Sequence, residues 1–185
     1  MKKAFTLIEI LVVLGIFSIF VVGAINVYLS AVRVQSRAIS MQQMLEQINF
    51  ALEYMGREIR MAKKDDVQIL NFPPKHCCPG DKVNYCTSNQ NTQITFRNSK
   101  NNCHTFFLSS NQIFEKEEGT QRELTSLSAV RIKNLKFIVT GEGQEDKIQP
   151  KVTILIETAP TFDPQTSFYF QTTISQRDLD IEISQ

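Results

Sequence analysis

Residues 5–25 read Phe-Thr-Leu-Ile-Glu-Ile-Leu-Val-Val-Leu-Gly-Ile-Phe-Ser-Ile-Phe-Val-Val-Gly-Ala-Ile. Sixteen of these 21 residues are apolar, the exceptions being Thr6, Glu9, Gly15, Ser18 and Gly23. No charge occurs from Ile10 through Val32. At about 1.5 Å per residue, a helix of this length reaches roughly 30 Å, the thickness of a bilayer core. The stretch predicts one transmembrane helix. Lys2 and Lys3 precede it, so the positive-inside rule keeps that end cytoplasmic and sends the C-terminal bulk across the membrane.

The rest of the chain is of a different kind. The whole has 185 residues, 42% hydrophobic, with 20 Lys+Arg against 19 Asp+Glu and a net charge of +1. Without the span, the hydrophobic share falls to about 38%, ordinary for a soluble domain. These averages exclude a disordered chain and a multi-span membrane protein. The near-zero balance argues against a general nucleic-acid binder, which needs a basic surface.

The span fits a plain signal anchor, a secretory signal cut after Ala24, or a prepilin leader. Glu9 discriminates among them. A carboxylate within an apolar span is costly and marks function by default, unless it lies among the headgroups. Met-Lys-Lys-Ala-Phe-Thr-Leu-Ile-Glu-Ile, followed by Leu-Val-Val-Leu-Gly-Ile-Phe, strongly resembles the class III signal of type IV pilins and type II secretion pseudopilins. The resemblance implies a cut by prepilin peptidase between Ala4 and Phe5, and methylation of the new Phe5 amine. It puts Glu9 at mature position five, where the family's Glu pairs with the N-terminal amine of a neighbouring subunit. The family's usual residue before the cut is Gly; Ala4 stands there here, as it does more often in minor subunits. The implied partners are other subunits through the N-terminal helix, the peptidase and an inner-membrane assembly platform.

No proline occurs before Pro73. Val27, Ala31, Val34, Ala38, Met41, Leu45, Ile48, Leu52, Met55, Ile59 and Ala62 recur in steps of four and three, which predicts one apolar helix face. Its first half is expected to meet neighbouring subunits and its distal half a sheet. A helix from Phe5 to about Lys63 is ~90 Å long. The run Leu52-Glu-Tyr-Met-Gly-Arg-Glu-Ile-Arg-Met-Ala also resembles the helix end of J-type minor pseudopilins and their W-type pilus counterparts.

Beyond Asp65 the apolar residues alternate in short runs. Strands are expected at 67–72, 93–97, 105–109, 112–115, 129–132, 135–140, 151–158 and 167–174. Ser110-Asn111 and Gly141 to Asp146 read as turns. The fold class is therefore α+β and pilin-like: a long N-terminal helix, transmembrane in its first half, on a C-terminal antiparallel sheet. The expected organisation is a leader at 1–4, a span at 5–25, an extracytoplasmic continuation at 26–64 and a β-rich domain at 65–185. The polar tail from Gln176 alternates Leu179, Ile181 and Ile183, as a final strand or a frayed end would.

Cys77, Cys78, Cys86 and Cys103 fall on the side of the membrane where disulfides persist. Two bridges are expected. Cys77–Cys78 would be strained, so each of the two pairs with Cys86 or Cys103. His76 and His104 flank the cysteines and raise zinc as a rival, but no Cys-x-x-Cys occurs. No metal or cofactor is expected. Asp65-Asp66 and Glu115 to Glu118 read as solvated turns. Gly141 to Asp146 is acidic but lacks calcium-ligand spacing. Lys63, Lys64, Lys100, Lys133 and Lys136 form a scattered basic set that reads as solvated surface rather than as a DNA contact. Enzyme signatures are missing. The expected function is structural: a minor subunit priming or capping a filament. The rivals are a membrane-anchored binding or adhesive domain with an uncut leader, and a secreted disulfide-bonded protein.

Overall fold

Unbroken by proline, the N-terminal sequence forms a single helix, α1 (Leu7–Arg60, 54 residues). The computed structural model describes residues 6–65, 76–79, 83–141, 143 and 148–177. The strand expected at 67–72, most of the turn at 141–146 and the tail beyond 177 lie outside the described residues. The chain divides after Met41 into two compact units.

In the first unit α1 turns nearly every side chain outward. Phe20 and Ile19 are each 76% exposed, and the window is apolar enough to cross a membrane. The backbone satisfies itself, as it must in lipid. Even the Ser18 hydroxyl donates to the Leu14 carbonyl at 2.8 Å.

In the second unit α1 buries Met44, Ile48, Ala51, Met55 and Ile59. The expected face had Leu45 and Leu52 in place of Met44 and Ala51; Leu45 is 38% exposed. The cause is helical pitch. A stripe spaced at 3.5 residues drifts about 20° per heptad around a straight 3.6-residue helix. Two turns from Ile59, the neighbour one position earlier has taken over the buried face.

The β-rich part is two antiparallel sheets rather than the single one expected. The first is a meander of β1 (Tyr85–Ser88), β2 (Gln93–Arg97), β3 (Cys103–Ser109), β4 (Gln112–Glu117) and β5 (Thr120–Glu123). The second comprises β6 (Val130–Thr140), β7 (Lys151–Pro160) and β8 (Phe168–Ser175). β2 falls on the expected residues, and β3, β4, β7 and β8 lie within about two residues of theirs at each end. The runs at 129–132 and 135–140 are one strand, β6, whose register shifts between Ile132 and Asn134. That irregularity resets the alternation, so one strand looks like two. The β3–β4 hairpin turns on Ser110 and Asn111, both at positive φ, as two-residue hairpins favour. At Gly141 (φ +67°) a Cβ would stand 2.9 Å from the Ile148 carbonyl oxygen, so the turn demands glycine.

Phe96, Phe106, Phe137 and Ile154 bury completely with the helix residues in this unit. Full burial of one such side chain stabilises by roughly 1.5–3 kcal/mol. The end of α1 is closed by distant groups. Tyr85 Oη donates to the Ile59 carbonyl at 2.8 Å, Arg177 N to Arg60 at 2.8 Å, and Gln176 Nε2 to Ala62 at 2.9 Å. These satisfy carbonyls that a helix terminus otherwise leaves unpaired. The chain then leaves the helix by pairing Lys63 N with the Arg97 carbonyl at 2.9 Å.

Candidate functional site

Thr6 precedes α1 and accepts the amides of Glu9 at 3.1 Å and Ile10 at 3.3 Å. Thr6-Leu-Ile-Glu9 has the spacing of a capping box, a signal in the sequence that the membrane reading passed over. Glu9 sits in the first turn of α1, where a carboxylate meets the positive end of the helix dipole. Ala4 and Phe5 lie outside the described residues.

Residues 1–25 match the family model of the prokaryotic N-terminal methylation motif. No curated protein and no solved structure matches the chain. The match covers residues 1–4, Phe5, Glu9 and the whole apolar run at 5–25, and it supports a pilin-like chain. The fold agrees: a long apolar N-terminal helix continues into a segment packed on antiparallel sheets, an α+β arrangement of the pilin type.

The cysteines form two bridges, Cys77–Cys103 and Cys78–Cys86. All four sulfurs are thereby occupied, leaving no thiolate to ligate a metal. The histidines turn to carboxylates instead. His76 Nδ1 lies 3.8 Å from Asp65 Oδ2, and His104 Nε2 lies 3.2 Å from Glu115 Oε2. Among the described residues no three His, Cys, Asp or Glu groups converge as a metal site.

Asp65 is not a solvated turn residue. It is 2% exposed and accepts Cys77 N at 2.8 Å, Cys78 N at 3.3 Å and Arg97 Nε at 2.8 Å. One carboxylate thus joins the end of α1, the cysteine loop and β2. Asp66 lies outside the described residues.

Glu115 corrects the sequence reading in the same way. It is a buried β4 residue, 3% exposed. Tyr54 Oη donates to its Oε2 at 2.8 Å and Arg122 Nη2 approaches its Oε1 at 2.6 Å. Burial, then the hydrogen bond to Glu115 and the charge of Glu58, push the Tyr54 phenol above the ordinary tyrosine range; Arg122 offsets part of this. At Glu117 burial works in the raising direction, but amide donors from Asn98 at 2.7 Å and Asn102 at 3.3 Å, with Lys100, outweigh it and hold the carboxyl low. His104 is 1% exposed and lies among Phe96, Phe106 and Glu115. These groups fasten α1 to the first sheet. The expected basic set is dispersed: Lys63 bonds Asn101 at 3.1 Å and Lys133 bonds Ser167 at 2.8 Å.

Proposed function

We propose that the chain is a minor subunit of a type IV pilus or type II secretion pseudopilus, of the J or W type, with a priming or tip role. The observation that carries this is the methylation motif at residues 1–25, which runs into a helix whose apolar side chains are exposed. Prepilin peptidase cuts between Ala4 and Phe5 and methylates Phe5. Residues 1–4 are the leader, 5–25 the span, 26–64 its extracytoplasmic continuation and 65–185 the periplasmic domain. The two disulfides support that side of the membrane, where oxidised cysteines persist.

After the cut, Phe5 carries an amine that is cationic at neutral pH. In an apolar medium that cation and Glu9 of an adjacent subunit are each costly alone and attract when brought together. Their pairing sets the axial register of the filament. The mature N-terminus, read by mass spectrometry, tests the proposal. A methylated Phe5 is expected. An intact Met1 would instead mean an anchored binding or adhesive domain, and a start at Ile25 a secreted protein. Glu9→Leu is expected to insert in the membrane but to be missing from sheared filaments; normal incorporation would refute its role.

A further inference from the structure

Four cysteines can pair in three ways, and the chain takes one of them. A Cys77–Cys78 bridge would leave Cys86 to meet Cys103, which the first sheet forbids. Cys86 lies on β1 and Cys103 on β3, with β2 between them. Strands two places apart stand roughly 9–10 Å from each other, beyond the roughly 7 Å between Cα atoms that a bridge spans. The remaining rival swaps the partners of the two adjacent cysteines, giving Cys77–Cys86 and Cys78–Cys103. The observed bridges close separations of 26 and 8 residues, and the swap shortens the first and lengthens the second by a single residue. Loop-closure entropy varies only with the logarithm of length, so it does not choose between these two isomers.

Something other than loop length therefore decides. Cys86 stands opposite Thr95 and Cys103 opposite Arg97 in the strand register. Thr95 and Arg97 are two residues apart on β2, so both strand cysteines project from one face of the sheet. Cys77 and Cys78 cross that face as a strap, one bridging to each side of β2. The strap is held by Asp65. Its Oδ2 accepts Cys77 N at 2.8 Å and Cys78 N at 3.3 Å, so one oxygen holds both strap amides. Its Oδ1 accepts Nε and Nη2 of Arg97, the register partner of Cys103. Arg97 Nη1 donates to the Asn101 carbonyl at 2.7 Å, in the turn that leads to Cys103. Asp65 is itself placed two residues after Lys63, which forms a β-bridge with Arg97. On the other side of the strap, Cys78 Sγ lies 3.4 Å and Cys86 Sγ 3.6 Å from the Thr95 carbonyl oxygen.

We propose that Asp65 selects the disulfide pairing: by holding the Cys77 and Cys78 amides against Arg97, it delivers Cys77 to Cys103 and Cys78 to Cys86 and disfavours the swap. The swap shifts the strap by one residue and pulls its amides off the carboxylate. Asp65 is 2% exposed, so the hydrogen bonds lost there are charge-assisted and little water replaces them. Asp65 is a positioning residue, acting on the sulfurs through backbone placement. The chemistry itself is ordinary exchange. With oxidised glutathione as oxidant, one cysteine thiolate attacks a glutathione sulfur and releases a glutathione thiolate. A second cysteine thiolate then displaces the other, so two electrons pass from the cysteine pair to two glutathione thiols. Conversion of the swapped isomer to the native one has no net oxidation: a reduced glutathione thiolate opens a bridge and is expelled when the new bridge closes. The isomers can thus reach the ratio that the position of the strap sets.

The test reoxidises the full-length protein, held in detergent, from its reduced state in a mixture of reduced and oxidised glutathione. Mass spectrometry with backbone cleavage between Cys77 and Cys78 counts the native and swapped isomers. Wild type should favour the native isomer by at least about tenfold, the effect of one hydrogen bond to a charged group. In strong urea, where nothing holds the strap, the two should come within about twofold of each other because their loops are nearly equal. Asp65→Ala in native buffer should give the same near-even mixture. Asp65→Asn keeps one acceptor oxygen and should fall between, and it supplies the reading if the alanine variant fails to fold. Ile154→Ala separates pairing choice from stability. It opens a cavity at a fully buried residue of β7 and lowers stability, yet should keep the wild-type ratio. A wild-type ratio in both Asp65 variants, a preference as strong in urea as in buffer, or an Ile154→Ala mixture as even as that of the Asp65 variants would overturn the proposal.

Discussion

Asp65 has one carboxylate and joins three parts of the fold. Its partner Arg97 is nearly as buried, with a side chain 10% exposed. Two charges withdrawn from water are tolerable because each neutralises the other and both find hydrogen bonds. Asp65→Asn keeps an acceptor for Cys77 N but leaves Arg97 charged and buried. The expected loss is about 3–5 kcal/mol, measured as a fall in the denaturation midpoint. Tyr54 makes a different kind of link, since its phenol favours the neutral form in the fold. Its stabilising contribution is complete below about pH 10, the ordinary value for an unfolded tyrosine, and is lost as pH rises through the raised folded value. The stability difference between wild type and Tyr54→Phe should stay flat up to about pH 10 and shrink above it. Unfolding curves at stepped alkaline pH check this. Neither link was legible in the sequence. Arg97 lies 32 residues from Asp65 and Glu115 lies 61 from Tyr54, and local pattern carries no sign of such pairings. An acidic residue beside another acidic residue simply reads as solvated.

At the scale of elements, apolar periodicity was the dependable signal. β2 was legible because Ile94 and Phe96 alternate with polar neighbours, and both are fully buried. β5 was not, because Thr120-Gln-Arg-Glu has no apolar residue and owes its strand state to pairing with β4. β1 was missed because Tyr85 is its one large apolar residue, surrounded by cysteine and turn formers. The helix was legible in extent and in most of its buried face, since Ile48, Met55, Ile59 and Ala62 are buried as expected; only Leu45 and Leu52 give way to Met44 and Ala51, because burial follows the true pitch. Within α1, Gly56 remains a weak point. A Cβ there would meet Ile174 at 3.6 Å, an ordinary contact. Gly56→Ala should therefore stabilise the domain by up to about 1 kcal/mol, visible as a higher melting temperature with unchanged disulfides.

For the molecule as a whole, the two bridges differ in what they restrain. Cys77–Cys103 closes a separation of 26 residues and Cys78–Cys86 one of 8. On the chain-entropy account the longer loop gives about 3.5 kcal/mol and the shorter about 2.5. Replacing Cys77 and Cys103 by serine should thus destabilise more than replacing Cys78 and Cys86. Denaturant titration of the two double variants reads the order, and a reversed order would show that packing around Cys78, 1% exposed, outweighs loop length. The likeness to pilins was legible from the first ten residues, because leader, Glu9 and span converge there. The second sheet was not, because alternation shows that a strand has two faces but not which neighbour it pairs with.

The closure of α1 also fixes an order of events during synthesis. Ile59, Arg60 and Ala62 leave the ribosome early, yet two of their three capping donors come from Gln176 and Arg177. The cysteines all emerge before those donors do. A nascent chain can therefore oxidise its loop while the end of its helix is still uncapped. The end of α1 gains its last partners only once the chain through Arg177 is available, so chains halted before Gln176 carry a frayed helix end, a natural mark for proteolysis of unfinished molecules.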